Sequence, residues 1–379
     1  MAKKVKAGYR VREDGTLEKR FTHDGKRYSV YGQSVKECEN KMLEKIKQIE
    51  AGAYRANSAV TLDEYFAEWI EQKTNKVRAA TIYQNENWYK NRIQPYLGSE
   101  KVKKIERRQI MAMQAQLFKK YKSATVNGTL RLLYGILQTA VQDGILMKNP
   151  AENIPNVKDE TETAARDTIH RALTKEETAA FLKYAEGHTW YYEFFAFLFN
   201  TGMRSGEAAA LKVRDLDYKA GVIHVRETVT RDRSGHFAEG PCKTKNSVRD
   251  IPMTELVKDI LERAKAKRAL LAFSYGREKV RPMNEHVFVN TSGTAIGHMN
   301  VDQIIKQVLA RMERDGQHID TFTAHATRDT FATRAIENGM QPNTLKEILG
   351  HNSFSMTMDL YAHVMPNTKQ DEMKLIQVL

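Results

Sequence analysis

The chain has 379 residues, which is longer than a single ordinary domain and favours two or three domains. Its hydrophobic content of 41% is enough for packed cores, and its charged content of 28% is ordinary for a soluble protein. The net charge of +13 and the isoelectric point near 9.4 indicate a polyanionic partner, and nucleic acid is a better candidate than an anionic membrane.

Several classes of protein are excluded by what the sequence lacks. No apolar run approaches the length of a transmembrane helix, and the N-terminal stretch MAKKVKAGYR has no apolar core of a signal peptide. We therefore expect a cytoplasmic protein without a membrane partner, in which Cys38 and Cys242 are reduced thiols. No CxxC, HExxH or GxxxxGK(S/T) motif is present, so the sequence supports neither a zinc site nor nucleotide hydrolysis.

Residues 1–55 form a compact basic unit at the start of the chain. The dipeptides Asp14-Gly15 and Asp24-Gly25 lie between short alternating runs, which predicts a three-stranded meander. Ser34 is placed to cap a following helix that ends at Gly52. Basic residues on the strands suit a β-ribbon that enters a major groove, and a solvated charged sheet face is the competing interpretation. The candidate DNA contacts are Arg10, Arg12, Lys19, Arg20, Lys26 and Arg27.

A second domain is predicted over residues 60–153. Four segments carry apolar residues at helical spacing, which predicts a four-helix unit that ends near Asn149-Pro150. Basic and aromatic residues interleave in the second and fourth helices, which can serve to bind a phosphate backbone, although scattered surface charge is the commoner explanation. The candidate DNA contacts in this domain are Lys90, Arg92 and Arg131.

The remainder of the chain is predicted to be a linker and a third domain. Residues 154–172 are polar and poor in large apolar side chains, which is typical of a linker. Residues 173–379 are mostly helical, start at a capping box formed by Thr174 and Glu177, and contain a β insertion near residues 221–253. We thus predict a multidomain, mainly α protein: a sheet-plus-helix module, a helical domain, and a mixed α+β domain that is mostly helical.

Two arginines of the third domain are placed as phosphate ligands. Arg204 follows an apolar helix and a Thr-Gly turn, so its planar fork would be held rigidly enough to grip two phosphate oxygens. A structural pair between Arg204 and Glu207 is equally plausible. His325 and Arg328 share one helix face, where they would combine proton transfer with charge neutralisation. A buried histidine bonded to backbone is the ordinary alternative for His325.

A lysine-bearing turn and a tyrosine near the C-terminus complete the candidates. The stretch GPCKTKNSVRDIPM predicts a hairpin tip from which Lys243 and Lys245 could reach a minor groove or a scissile phosphate. His351 follows a helix-ending Leu-Gly turn that would fix the direction of its ring. Tyr361 comes after a further short helix, and core packing is the usual role of a lone tyrosine.

Taken in order, these motifs resemble the tyrosine recombinase (phage-type integrase) family. The matching features are TGMRSGE with Arg204, the lysine of the β insertion, His325-x-x-Arg328, Leu-Gly-His351, and Tyr361 followed by Ala-His. The resemblance covers about residues 60–379, while residues 1–55 look like the arm-site-binding module of integrases from conjugative transposons. Asp329 stands where many relatives carry histidine, and we expect it to lie off the core constellation.

The resemblance implies a chemistry that needs neither metal nor other cofactor. Tyr361 would attack the scissile phosphate to give a 3′-phosphotyrosyl intermediate, which stores the bond energy for rejoining. Arg204 and Arg328 would neutralise the transition state, and His351 would donate a hydrogen bond to the phosphate. His325 is the expected proton acceptor, and Glu207 is expected to support the Arg204 turn. Lys243 is preferred over Lys245 as general acid.

The same resemblance implies the partners. We expect double-stranded DNA attachment sites of core and arm types, a homotetramer in the synaptic complex, an excisionase and a host DNA-bending protein. The C-terminal tail MPNTKQDEMKLIQVL would pack on its own domain or dock on a neighbouring protomer. The alternatives are a chromosome-dimer or plasmid resolvase of the same chemistry, a catalytically silent DNA-binding relative, and a type IB topoisomerase.

Overall fold

The computed structural model describes residues 8–12, 14–23, 26–50, 60–158, 171–242, 244–275 and 285–364. The chain divides into two compact units, Met1–Glu160 and Thr161–Leu379. Among the described helices, none combines the length and apolar character needed to cross a membrane. The predicted Asp24-Gly25 turn, Gly52, Lys243 and the tail after Val364 lie outside the described residues.

The first unit begins with the predicted small antiparallel sheet. Its strands pair in chain order and are Tyr9–Val11 (β1), Leu17–His23 (β2) and Lys26–Gly32 (β3). Helix α1, Val35–Glu50, follows, and the Ser34 hydroxyl accepts a hydrogen bond from the Glu37 amide at 3.2 Å, as a helix cap does. Tyr28 and Val30 are buried on one sheet face, where the Cys38 thiol donates to the Leu17 carbonyl. The predicted module is confirmed.

Helices make up the remainder of the first unit. They are Leu62–Lys73 (α2), Ala79–Trp88 (α3), Gln94–Leu97 (α4), Arg107–Phe118 (α5) and Ser123–Gln142 (α6). A π-helical turn, Tyr89–Ile93, joins α3 to α4. Gly128 on α6 allows a close approach, because a Cβ there would lie 2.5 Å from the Trp88 ring. The apolar spacing in the sequence therefore predicted the helices, while the π turn and the Gly128 contact depend on packing.

The second unit is mostly helical. Its helices are Lys175–His188 (α7), Tyr192–Thr201 (α8), Ser205–Ala210 (α9), Glu255–Tyr275 (α10), His298–Arg314 (α11), Ala324–Glu337 (α12), Pro342–Leu349 (α13) and Phe354–Val364 (α14). The predicted capping box starts α7, since the Thr174 hydroxyl accepts from the Glu177 amide at 3.0 Å and the Thr174 amide donates to the Glu177 carboxylate. Helix α8 is central: Phe181, Phe195 and Phe197 are fully buried around it. Burying one such ring stabilises the fold by about 1.5–3 kcal/mol.

Strands lie between α9 and α10, as predicted. They are Leu216–Asp217 (β4), Val222–Val225 (β5), Glu227–Arg231 (β6), Phe237–Pro241 (β7) and Arg249–Pro252 (β8). Strands β4, β5 and β8 form one sheet, and β6 pairs with β7 in another. The segment between β7 and β8 therefore crosses between sheets, and the predicted hairpin at the lysine-bearing turn was wrong. The alternating sequence pattern predicted where the strands are, but it could not predict which strands pair with each other.

Candidate active site

Arg204 lies in the short connection between helices α8 and α9. Helix α8 ends at Gly202, whose φ of 62° is left-handed, and Arg204 is the residue that precedes α9. The Arg204 amide donates to Glu207 Oε2 at 3.1 Å, and its Nη1 donates to Glu207 Oε1 at 2.8 Å. The Arg204 side chain nevertheless remains 37% exposed, so its fork is fixed on one side and open on the other.

Glu207 joins two arginines. Its side chain is 3% exposed and also accepts a hydrogen bond from Nη2 of Arg249 at 2.9 Å. Arg249 is the first residue of β8. Burial raises the pKa of the Glu207 carboxyl, but the charges of Arg249 and Arg204 outweigh it, and the pKa lies below its ordinary value. Glu207 is therefore an ionised support for the Arg204 turn, and the structure contains the Arg204–Glu207 pair that the sequence left open.

Arg328 is the most deeply buried cation of the site. It is 3% exposed on α12, and it donates to the Gly202 carbonyl at 2.9 Å and to the Leu349 carbonyl at 2.6 Å. Burial, and next the charge of Arg204, lower the pKa of Arg328 to about 9. The cavity thus has an excess of positive charge that a bound anion would relieve.

His351 is oriented by the end of α13. That helix stops at Gly350, whose φ of 67° is left-handed. The imidazole is buried, and its Nδ1 lies 2.9 Å from the Thr357 hydroxyl of α14. Burial and the charges of Arg328, Arg204 and Arg249 lower the pKa of His351 to about 4. The ring is therefore neutral near pH 7 and carries one N–H, which suits it to donate a hydrogen bond.

These side chains surround one cavity of about 240 Å³. His325 is largely exposed at its rim, with its Nε2 3.9 Å from Asp329 Oδ1. Asp329 lies in the cavity wall, so the expectation that it is off the core constellation was wrong. Asp329 still reaches His325, because the two residues are one helical turn apart on α12. The lining residues are Arg204, His325, Arg328, Asp329, Ala332, Leu349, His351, Met356, Asp359 and Leu360.

Tyr361 is beside this cavity without lining it. It lies on α14, directly after Asp359 and Leu360, which do line the cavity. Its hydroxyl donates to the Met340 carbonyl, and its ring packs in a small cluster with Ile336, Leu345 and Leu349. Burial raises the pKa of the Tyr361 phenol. The structure thus brings Arg204, His325, Arg328 and His351 together and places Tyr361 next to them in an unactivated position.

Comparisons with protein families identify this architecture. Residues 171–368 match the model of the phage integrase family, and residues 61–118 match that of the phage integrase N-terminal SAM-like domain. The chain belongs to the phage integrase family. It is a site-specific tyrosine recombinase, related to the integrases of conjugative transposons.

Named relatives agree with this membership, and solved structures share the fold. A tyrosine recombinase XerC-like protein of Caldanaerobacter subterraneus subsp. tengcongensis is 28% identical over 368 residues, covering 93% of this chain and 92% of the relative. The ICEBs1 integrase of Bacillus subtilis is 28% identical over 345 residues, covering 89% and 87%. The Tn1549 transposon integrase bound to transposon right end DNA has a TM-score of 0.69 at 24% identity, covering 84% of this chain and 99% of that one. A lambda integrase tetramer bound to a Holliday junction has a TM-score of 0.57 at 16% identity, covering 95% and 96%.

The lysine-bearing turn of this recombinase is described only in part. Lys243 lies outside the described residues, and Lys245 begins a single 3₁₀ turn, Lys245–Ser247. Within that turn the Ser247 amide donates to the Thr244 carbonyl at 3.0 Å, and the two hydroxyls lie 2.9 Å apart. The preference for Lys243 over Lys245 stays a prediction.

The basic strand residues of this recombinase divide between the two faces of the sheet. Arg10, Arg12 and Arg20 line a concave polar surface together with Glu18 and Tyr31. The Arg12 guanidinium lies 5.2 Å from the Tyr31 ring centre, and Arg20 Nε lies 2.8 Å from Glu18 Oε1. Lys19 lies instead over the Tyr9 ring of the other face, at 4.5 Å. The register pairs Arg27 with Thr22 and Lys26 with His23.

The candidate contacts of the helical domain differ in their surroundings. Lys90 and Arg131 are exposed. The Arg92 guanidinium lies 5.2 Å from the Trp88 ring centre and 4.9 Å from that of Tyr121. Stacking between two rings holds a guanidinium in one orientation. Arg92 is thus the most rigidly held of the three candidates.

Two residues at the site were missed from the sequence. Arg249 has a side chain only 6% exposed and bonds to Glu207, and Thr357 is fully buried beside His351. An arginine in the alternating strand SVRDIPM was a weak signal, because strand arginines are usually exposed. For Thr357, whose partner is set by the fold of α14, the sequence offers no signal.

Proposed function

We propose that this recombinase integrates and excises a mobile genetic element by cutting and rejoining DNA through Tyr361. The observation that carries the proposal is the convergence of Arg204, Arg328 and His351 on one cavity, with Tyr361 on the helix that forms its wall. A phosphodiester is an anion, and the cavity offers two guanidiniums and one neutral imidazole to it.

The phosphate would lie between the two guanidiniums. Arg204 has its open side free to bind nonbridging oxygens, since Glu207 holds the other side. Arg328 uses its terminal nitrogens to fix the Gly202 and Leu349 carbonyls, and each terminal nitrogen retains a second N–H. Their combined charge stabilises the pentavalent transition state, in the role that metal ions fill in other phosphoryl-transfer enzymes.

His351 supplies a neutral hydrogen bond. If the Thr357 hydroxyl donates to Nδ1, the single imidazole hydrogen is on Nε2 and points away from Thr357. We assign this tautomer to the active state, because it lets His351 donate to a phosphate oxygen without adding a fixed charge.

Strand transfer exchanges one phosphorus–oxygen bond for another. The Tyr361 oxygen forms a bond to phosphorus while the bond from phosphorus to the 5′-oxygen breaks. The phenolic proton passes to His325, whose Nε2 faces Asp329, and a lysine of the β7–β8 segment protonates the departing 5′-oxygen. Lys243 is the preferred lysine, with Lys245 as the alternative. The 5′-hydroxyl of the partner strand reverses the step on the phosphotyrosyl bond.

Attack requires Tyr361 to leave the Met340 carbonyl. Burial in the present position raises the pKa of the Tyr361 phenol, which opposes its deprotonation. Repositioning of α14 on DNA would bring the hydroxyl to the cavity that Asp359 and Leu360 already line.

The proposed partners are DNA, further copies of this chain and accessory proteins. Residues of the N-terminal sheet would bind arm-type sites, and the helical domain together with the cavity would bind core-type sites. A homotetramer would form the synapse, with an excisionase and a host DNA-bending protein setting its geometry, in the bacterial cytosol at the nucleoid. The Tn1549 integrase complex and the lambda integrase tetramer support the DNA and the multimeric parts of this proposal.

A suicide substrate tests the proposal. The full chain is incubated with a nicked duplex carrying an end of the element, from which the cleaved fragment diffuses away. We expect a covalent protein–DNA adduct that resists denaturation and is absent in Tyr361→Phe. Tyr192→Phe is the matched control, because its partly buried ring lies 4.9 Å from the Arg263 guanidinium and Tyr192 is not among the residues that line the cavity. An adduct formed by Tyr361→Phe would refute the nucleophile assignment.

A further inference from the structure

Arg249 makes three contacts in three directions from a buried side chain. Its Nη2 donates to Glu207 Oε2 at 2.9 Å, its Nε to the Ile348 carbonyl at 2.5 Å, and its Nη1 to the Ser247 carbonyl at 3.0 Å. Each acceptor belongs to a different part of the site. Only a guanidinium presents donors in a fixed planar fork that can satisfy all three at once.

The first two contacts hold the phosphate ligands. Glu207 positions Arg204 through a bond of 2.8 Å, and Ile348 lies in the last turn of α13, just before Gly350 and His351. The backbone is tightly packed at this point, because a Cβ at Gly350 would lie 3.0 Å from Arg249 Cδ. Arg249 thus fixes Arg204 and His351 relative to each other.

The third contact holds the lysine-bearing turn. Ser247 closes the short turn that Lys245 begins, and the Asn246 side-chain amide lies 3.5 Å from the His351 carbonyl. The flanking strands belong to different sheets, so sheet pairing alone does not fix this segment against the cavity. Among the described residues, the Arg249 side chain is what joins the turn to both Glu207 and α13.

We propose that Arg249 is a positioning residue that holds the lysine-bearing turn against the phosphate cavity, so that a lysine of that turn can protonate the leaving 5′-oxygen. Arg249 acts through the turn and does not touch the DNA. The inference rests on the proposed strand-transfer chemistry, and specifically on a lysine general acid.

The test uses two versions of the same nicked duplex. One has an ordinary phosphodiester at the scissile position, and the other has sulfur in place of the bridging 5′-oxygen. A thiolate leaves without protonation, so cleavage of the sulfur substrate does not need the general acid. Single-turnover rates with both substrates are measured on one preparation of each full-length variant. The ratio of the two rates is independent of the folded fraction.

We expect Arg249→Met to slow cleavage of the ordinary substrate by about 10²-fold or more, in the range of a lost general acid. The sulfur substrate should be slowed less, only by the part of the effect that passes through Arg204 and His351. The rate on the ordinary substrate divided by the rate on the sulfur substrate should therefore fall by about 10-fold or more. Arg249→Lys should give the same selective defect, because an ammonium cannot make the three planar contacts. Lys243→Ala and Lys245→Ala provide the reference pattern, since the variant of the lysine that acts as the acid must show it.

Arg214→Met is the matched control for removal of an arginine. Arg214 is 59% exposed and pairs with Glu285 and Glu227, away from the cavity lining, so both rates should stay unchanged. Equal slowing of both substrates by Arg249→Met, or slowing of neither, would overturn the positioning role. Failure of the wild-type protein to form an adduct with either substrate would instead overturn the proposed function.

Discussion

Replacing Gly350 by alanine tests how tightly the cavity is built. Gly350 has a φ of 67°, where an L side chain is strained, and a Cβ there would lie 2.7 Å from the Asn246 carbonyl oxygen. Ordinary contact begins at 3.4 Å, so the Asn246 backbone or the end of α13 must move by about 0.7 Å. The strained backbone costs about 1–2 kcal/mol, and crowding of a packed site adds about 1–3 kcal/mol.

Gly316→Ala is the matched control for this substitution. Gly316 also has a left-handed φ, of 80°, but no described atom lies within 4 Å of its added Cβ. It should therefore lose only the backbone contribution, about 1–2 kcal/mol. Urea unfolding of the two variants measures the difference, which we expect to be about 1–3 kcal/mol in favour of Gly316→Ala.

The same movement should also affect cleavage. A shift approaching 1 Å in a catalytic group costs about 10²-fold in rate. Gly350→Ala should therefore form the suicide-substrate adduct far more slowly than Gly316→Ala. If the two variants were equally stable and equally fast, the close packing of Gly350 against the lysine-bearing turn would be wrong.

Three further outcomes are expected. The pKa of His351 is lowered from 6.5 to about 4 in the folded protein, so the unfolded state binds the extra proton between these values. As the pH drops from 6.5 to 4, the stability of the DNA-free wild-type protein should thus fall more steeply than that of His351→Gln. Melting temperatures of the two proteins that fall in parallel over this pH range would contradict the expectation. Thr330→Val should lower the free energy of unfolding by about 1–3 kcal/mol, because the buried Leu173 amide donates to the Thr330 hydroxyl at 2.9 Å. Thr178→Val removes an exposed hydroxyl and should lower it by less in the same urea assay. Replacing Arg10 and Arg12 together by alanine should lower the salt dependence of arm-site binding, by about 0.9 in log–log slope for each phosphate that is no longer neutralised, and an unchanged slope would contradict their role as DNA contacts.

The helices and strands were predictable because their signals are local. Apolar spacing, the cap at Ser34 and the capping box at Thr174 each involve residues within a few positions of one another. The order of the motifs around Arg204 and Arg328 was equally informative, since resemblance to a family carries long-range information that periodicity lacks.

What could not be predicted depends on contacts between distant parts of the chain. Arg249 bonds to Glu207 across 42 positions and to Ile348 across 99, and no local pattern marks either pair. The predicted strand pairing was wrong for the same reason. The alternating pattern of β7 and β8 was visible in the sequence, but it did not show that the two strands belong to different sheets. The place of Tyr361 on the Met340 carbonyl is a packing outcome of the small cluster around Leu345 and Leu349.

Helix α14 carries both Thr357 and Tyr361, one helical turn apart on the same face. Thr357 contacts His351, while Tyr361 is bonded to Met340. A rigid movement of α14 that frees the phenol therefore also changes the partner of the imidazole. Release of Tyr361 and reorientation of His351 would then share one conformational equilibrium. By thermodynamic linkage, a phosphate that binds better to one orientation of His351 would shift the population of the released tyrosine by the ratio of its two affinities. Tyr361, the proposed nucleophile, would thus be released in response to a bound phosphate before its hydroxyl contacts the DNA.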